Sequence, residues 1–344
     1  MLTSQQSFSI SIIRSISVLL IILCHILQGY NNLMAFWFNI GVQIFLVMSG
    51  FLSGAKNIPN YCDWYTKRFK RILKPYYIYL IIIIPVFLIF NGNNISSVQI
   101  IYYLLILQGV SGSISGLGHL WYITLIDICY LITPIIFKYN ISRKENSKLK
   151  FYFLMVGQFI ILQLIFLKLG SNLGPWVATY MFGFYLAWRY NYKTTKRIKY
   201  LFAGVTIMLL PIIIYFQYFY SSKVITPIIR MIYLLFPWYH ALLGCTIFII
   251  LFDMLSKYGK LRNKMFFTRS IYLIDKYSYE MYITHSVYIL GTFSMLKITK
   301  YGILNILIIS LMIGLSSLIL KRLSNIEIKY ILVPYKRKLI RNLQ

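Results

Sequence analysis

Residues 10–29 read ISIIRSISVLLIILCHILQG, an apolar run of twenty residues interrupted by one arginine and one histidine. At 1.5 Å per residue a helix of this length reaches about 30 Å, the thickness of a bilayer's hydrocarbon core. Comparable runs follow at 36–55, 76–90, 98–110, 119–137, 151–169, 173–188, 200–220, 235–254, 278–296 and 302–320. The composition agrees with this stretch. Of 344 residues, 59% are hydrophobic and 12% charged, and mean hydropathy is +0.70. A soluble domain carries about 25% charged residues, so a water-soluble, disordered or disulfide-stapled chain is excluded. The expected fold class is an all-α polytopic membrane protein. The first run has no basic residue before Arg14 and no small-residue cleavage signal after it, so it reads as a retained helix rather than a signal peptide.

The net charge of +28 comes from 35 Lys and Arg against 7 Asp and Glu. Nucleic-acid binding would be the reading for a soluble chain. Here the basic residues sit in short loops, where they orient the chain by the positive-inside rule. The run 98–110 is too short to cross, at about 20 Å of helix. With it omitted and the N-terminus inside, inside segments hold 29 basic residues and outside segments 5. Counting it as a span reverses everything after it and leaves 11 inside against 23 outside. About ten transmembrane helices with N- and C-termini cytoplasmic are therefore expected. Residues 98–110 are expected to lie along or re-enter from the outer side, shielded by protein. Residues 8–320 form the membrane domain and 321–344 a basic cytoplasmic tail. Cys24, Cys62, Cys129 and Cys245 make no CxxC pair and read as free thiols.

Ionisable groups inside spans are expensive and mark function by default. Arg14 and His25 are eleven residues apart, which leaves them about 20° from eclipsed on one helix face and about 16 Å apart along it. Arg68 and Arg71 in the inside loop share a helical face, and arginine's planar fork suits phosphate. Counting from Ile10, His25 is expected in the outer third of the core, with His119 opening its helix at the outer face. Asp127 lies mid-span and needs a partner, either a histidine or Arg14 from another helix. Ser49 is open to two readings, close helix packing beside Gly50 or a nucleophile. His285 either supports the site or bonds a carbonyl. Trp121 and His240 read as interfacial, and Glu280 and Asp253 as paired or wet near the inner boundary.

Five motifs in order give the chain a family resemblance. They are Arg14–x10–His25, then Phe45, Ser49, Gly50 and Phe51 in GVQIFLVMSGFL, then Arg68–x–x–Arg71 with Pro75 and Tyr76. His119, Leu120 and Trp121 with Tyr130 and Pro134 follow, and last Ser278, Tyr282 and His285. Over about residues 8 to 320 the sequence resembles the membrane-bound acyltransferase-3 proteins. It departs from their pattern at Gln43, where an acidic residue is usual, at Leu46 for an aromatic, and at Ile126, where a Glu is common and Asp127 is adjacent.

The resemblance implies an integral membrane O-acyltransferase of the cell membrane. It would move an acetyl group from acetyl-CoA to a hydroxyl of a surface or lipid-linked polysaccharide, with no metal and no nucleic acid. Catalysis would fall to His25 and Arg14 and donor binding to Arg68 and Arg71, with Ser49, His119, Asp127, Tyr282 and His285 in support. His25 is the expected base, since imidazole titrates near neutral pH. Direct transfer and an acyl-His25 intermediate both remain open. A transporter or flippase of a lipid-linked sugar is the alternative, and a non-catalytic subunit a third. A transporter would need discontinuous helices in paired positions, which the sequence does not show, and an inactive relative would be expected to have lost the Arg14–His25 pair, which is intact.

Overall fold

The computed structural model describes residues 2–56, 58–91, 95–108, 113–141, 173–188, 192–220, 227–257 and 265–326, with isolated positions between 157 and 168. The run at 151–169 falls mostly outside these residues, as does the basic tail from 327 onward. Every regular element described is helical. In chain order these are α1 (Ser4–Gly29), α2 (Ala35–Phe38), α3 (Ile40–Gly54), α4 (Tyr61–Asn91), α5 (Ser97–Leu104) and α6 (Trp121–Ile141). Then come α7 (Gly174–Trp188), α8 (Tyr192–Ile214), α9 (Pro227–Lys257), α10 (Met265–Ile289) and α11 (Gly302–Asn325). Among the described residues, seven helical segments are long and apolar enough to cross a membrane. Large side chains such as Ile81, Ile89, Ile207, Met208 and Ile303 are more than two-thirds exposed, as a lipid-facing surface requires and a water-facing one does not.

The helices close on one another through small residues. GFLSG at 50–54 places Gly50 and Gly54 on one face of α3, and Gly183 faces them from α7. A Cβ at Gly50 would strike the Tyr180 carbonyl, one at Gly54 the Phe184 carbonyl, and one at Gly183 the Val47 carbonyl. The two backbones touch, which is the small-xxx-small packing that membrane helices use in place of a hydrophobic driving force. Gly50 thus serves the packing expected beside Ser49.

α5 is eight residues long, about 12 Å, and does not cross. Tyr103 anchors it to the bundle: it is fully buried, its carbonyl accepts the Tyr76 hydroxyl at 2.6 Å and its own hydroxyl reaches Leu117 O at 3.1 Å. Ile106, held at φ 60°, has its carbonyl bonded by Thr124 Oγ1 at 2.7 Å. Protein groups thus satisfy the irregular backbone that follows the helix.

α1 and α10 are joined by Arg14–Asp275 at one level, Ser15 Oγ to Ile271 O beside it, and His25–His285 further along. Residue number rises in the same direction on both helices, so they run parallel.

Replacing Gly183 by Val should force α3 and α7 apart. Overpacking costs about 1–3 kcal/mol, so the thermal midpoint of the purified protein in detergent should fall by several degrees. A Gly204→Val control, at a position with open space around it, should leave the midpoint unchanged.

Candidate functional site

Three of the four histidines meet. α1 carries His25, the short 3₁₀ turn Gly118–Leu120 presents His119 just ahead of α6, and α10 carries His285. His25 Nδ1 lies 2.6 Å from His285 Nε2, with ring centroids 4.8 Å apart and planes within 4°. So short a nitrogen–nitrogen contact at that centroid distance fits two coplanar rings meeting edge to edge, not face to face. His119 stands across both rings, at 72° and 4.8 Å to His285 and at 76° and 6.2 Å to His25.

Backbone groups fix the cluster. His285 Nδ1 lies 2.6 Å from the Tyr282 carbonyl, and His119 Nε2 lies 2.9 Å from the Ile283 carbonyl. The Tyr282 hydroxyl donates to the His119 carbonyl. Loops crossing nearby tie the two strands of chain together. Gly116, three residues before His119, and Gly291, six after His285, both have φ near +84°. A Cβ at Gly291 would stand 2.7 Å from Gly116 N, so both positions need glycine on conformational and steric grounds.

A cavity of about 110 Å³ lies beside the cluster, separated from it by Tyr282, and has several times the room that one water needs, about 10–15 Å³. At one end it is lined by Tyr122 and Tyr282, at the other by Arg14, Arg68 and Arg71, with Phe45 and Ser49 along its wall. The Arg68 guanidinium lies between two aromatic faces, 5.4 Å from Trp64 and 5.2 Å from Tyr130. That stacking holds a cation without neutralising it.

Arg14 is ion-paired with Asp275 at 2.5 Å, both partly exposed at 19% and 15%. Asp275 was not among the residues singled out from sequence. A signal was present: Asp275 precedes His285 by ten residues, nearly the spacing of Arg14 before His25, so two parallel helices carry matching cation–imidazole and anion–imidazole ladders.

The structure corrects one expectation. Asp127 is bonded by neither a histidine nor Arg14, and both its carboxylate oxygens are buried without a hydrogen-bond partner. The reason is geometric: Arg14 is taken by Asp275, and His119 sits in the 3₁₀ turn ahead of α6, its ring facing His25 and His285. His119 and His240 are both buried in protein, His240 with its ring centroid 4.2 Å from that of Phe36. The remaining carboxylates named from sequence are paired: Glu280 with Lys321 at 2.9 Å, and Asp253 with Lys199 at 2.8 Å and Lys257 at 3.0 Å. Cys24, Cys62, Cys129 and Cys245 are free thiols. No group of three His, Cys, Asp or Glu placed to hold a metal ion occurs among the described residues.

Arg14 and Asp275 should be energetically coupled. In a double-mutant cycle of Arg14→Gln and Asp275→Asn, measured by unfolding in detergent, the single losses should exceed the double by about 0.5–3 kcal/mol. Strict additivity would mean the two side chains do not support each other.

No curated protein and no solved structure matches the chain. A family model described as an acyltransferase domain matches residues 8–321. That match spans every helix that builds the histidine cluster and the arginine-lined cavity. The chain thus belongs to the acyltransferase-3 family, as a multi-pass membrane acyltransferase.

Proposed function

We propose that this membrane acyltransferase takes acetyl from acetyl-CoA at the cytoplasmic face of the cell membrane and delivers it to a hydroxyl of a surface or lipid-linked polysaccharide. The observation that carries the reading is the cavity with three arginines at one end and Tyr122 and Tyr282, beside the histidines, at the other. A donor with a phosphate-bearing head and a long flexible arm suits such a cavity. Arg68 and Arg71 would take phosphate oxygens, and the thioester would travel along the wall formed by Phe45, Ser49 and Tyr122. The loop count of 29 basic residues against 5 supports ten spans with both termini in the cytoplasm, which puts the arginine end on the side where acyl-CoA is made.

The reaction proposed is direct. The acceptor hydroxyl gives its proton to His25 Nε2 as its oxygen attacks the thioester carbon. The C–S bond breaks, the thiolate leaves and takes that proton from His25, and the products are the O-acetyl ester and coenzyme A. Arg14 stands too far from His25, about 16 Å along α1, to stabilise charge on the reacting carbonyl. Its place is at the donor end, where releasing Asp275 would free its guanidinium for the incoming donor.

Two sets of variants test the assignment. Arg68→Ala with Arg71→Ala should raise the KM for acetyl-CoA at least tenfold with protein levels in the membrane unchanged. His25→Gln keeps a hydrogen-bonding side chain but cannot take the proton, so kcat should fall by about 10²–10⁴-fold with donor KM little changed. Near-normal transfer by His25→Gln would contradict the assignment.

A further inference from the structure

We infer that His285 is the positioning residue that makes Nε2 of His25 the base. The inference rests on the functional reading above for its chemistry and on hydrogen-bond logic alone for its geometry.

The chain of reasoning starts at a backbone carbonyl. Tyr282 O can only accept, so His285 Nδ1, 2.6 Å away, carries a proton. His285 is fully buried, and no carboxylate is bonded to it among the described residues. A second proton on its ring would bury an unpaired charge, at a cost of several kcal/mol. Its Nε2 is therefore a bare lone pair. That lone pair faces His25 Nδ1 at 2.6 Å in the same plane. If His25 Nδ1 were also bare, two lone pairs would oppose each other at hydrogen-bond distance. His25 must donate from Nδ1, which leaves Nε2 unprotonated. No described residue hydrogen-bonds that Nε2, so it is free to accept a substrate proton.

The arrangement does what a carboxylate does for histidine in a Ser-His-Asp triad: it selects one tautomer and fixes the ring's direction. The difference is that a neutral imidazole, itself anchored on a carbonyl, takes the carboxylate's place. When His25 Nε2 takes the hydroxyl proton, the imidazolium keeps its Nδ1–H bond to His285. The proton goes no further, because the Tyr282 carbonyl has no proton to release and cannot hold one. It remains on His25 Nε2 until the departing thiolate removes it. His119 has the opposite tautomer, with Nε2–H on the Ile283 carbonyl and a bare, buried Nδ1, so it is not interchangeable with His25.

The chain has only four histidines, His25, His119, His240 and His285, which makes the tautomers directly measurable. Full-length protein labelled with ¹⁵N-histidine in lipid bilayers, assigned by single substitutions, should show His25 and His285 protonated at Nδ1 and His119 at Nε2. His25 protonated at Nε2 in the unsubstituted protein would overturn the inference. The second arm compares His285→Gln, whose amide oxygen can still accept from His25 Nδ1, with His285→Leu, which cannot. The Leu variant should lose about 10²-fold or more in kcat at unchanged donor KM, and the Gln variant should recover to within about tenfold of the unsubstituted protein. Equal activity of the two variants, at any level, would overturn it. If the unsubstituted protein shows these tautomers but transfers no acetyl group, the functional reading fails and the positioning stands.

Discussion

The hydrogen bond between His25 and His285 joins residues separated by 260 positions. It couples the first membrane helix to the next-to-last helix described. Everything around it follows from the expense of polar groups inside a bilayer. Two imidazoles at this depth must satisfy each other, and the second must be satisfied by the backbone of its own helix. The Arg14–Asp275 pair repeats the solution about three turns away. These two rungs hold α1 and α10 parallel and in register, and the register sets where the base stands relative to the basic end of the cavity.

The rest of the architecture protects that arrangement. α3 and α7 pack backbone to backbone at Gly50, Gly54 and Gly183, which draws Ser49 and Phe45 up to the cavity wall. α5 and the Gly116–Gly291 crossing pack against the segments that carry His119 and His285. Arg68, held between Trp64 and Tyr130, keeps an unneutralised cation at the opposite end. One cavity thus runs from three arginines to Tyr122 and Tyr282, the latter beside the histidines.

Much of this was legible in the sequence, for identifiable reasons. The all-helical class and the short run at 98–110 follow from apolar run lengths, since 1.5 Å per residue against a 30 Å core is a strict ruler. Arg14 and His25 stood out because charge in an apolar run is visible without a structure. Asp275 did not, because it lies in a polar stretch, LIDKYSYE at 273–280, where a carboxylate draws no notice. His285's role was left between supporting the site and bonding a carbonyl, and the structure has its Nδ1 at the Tyr282 carbonyl and its Nε2 at His25. Asp127 shows the limit of the method. Its depth led to the expectation of a partner, but helix geometry cannot say which groups other helices bring. None of those described meets it.

The central claim is that donor and acceptor approach one cavity from opposite sides of the membrane. The most direct measurement uses proteoliposomes of one orientation, with acetyl-labelled coenzyme A and glycan acceptor supplied separately to either face. The account predicts label on the glycan only when the donor is at the face bearing Arg68 and Arg71 and the glycan at the other, and none with His25→Gln. Labelling that requires donor and acceptor at the same face would contradict it.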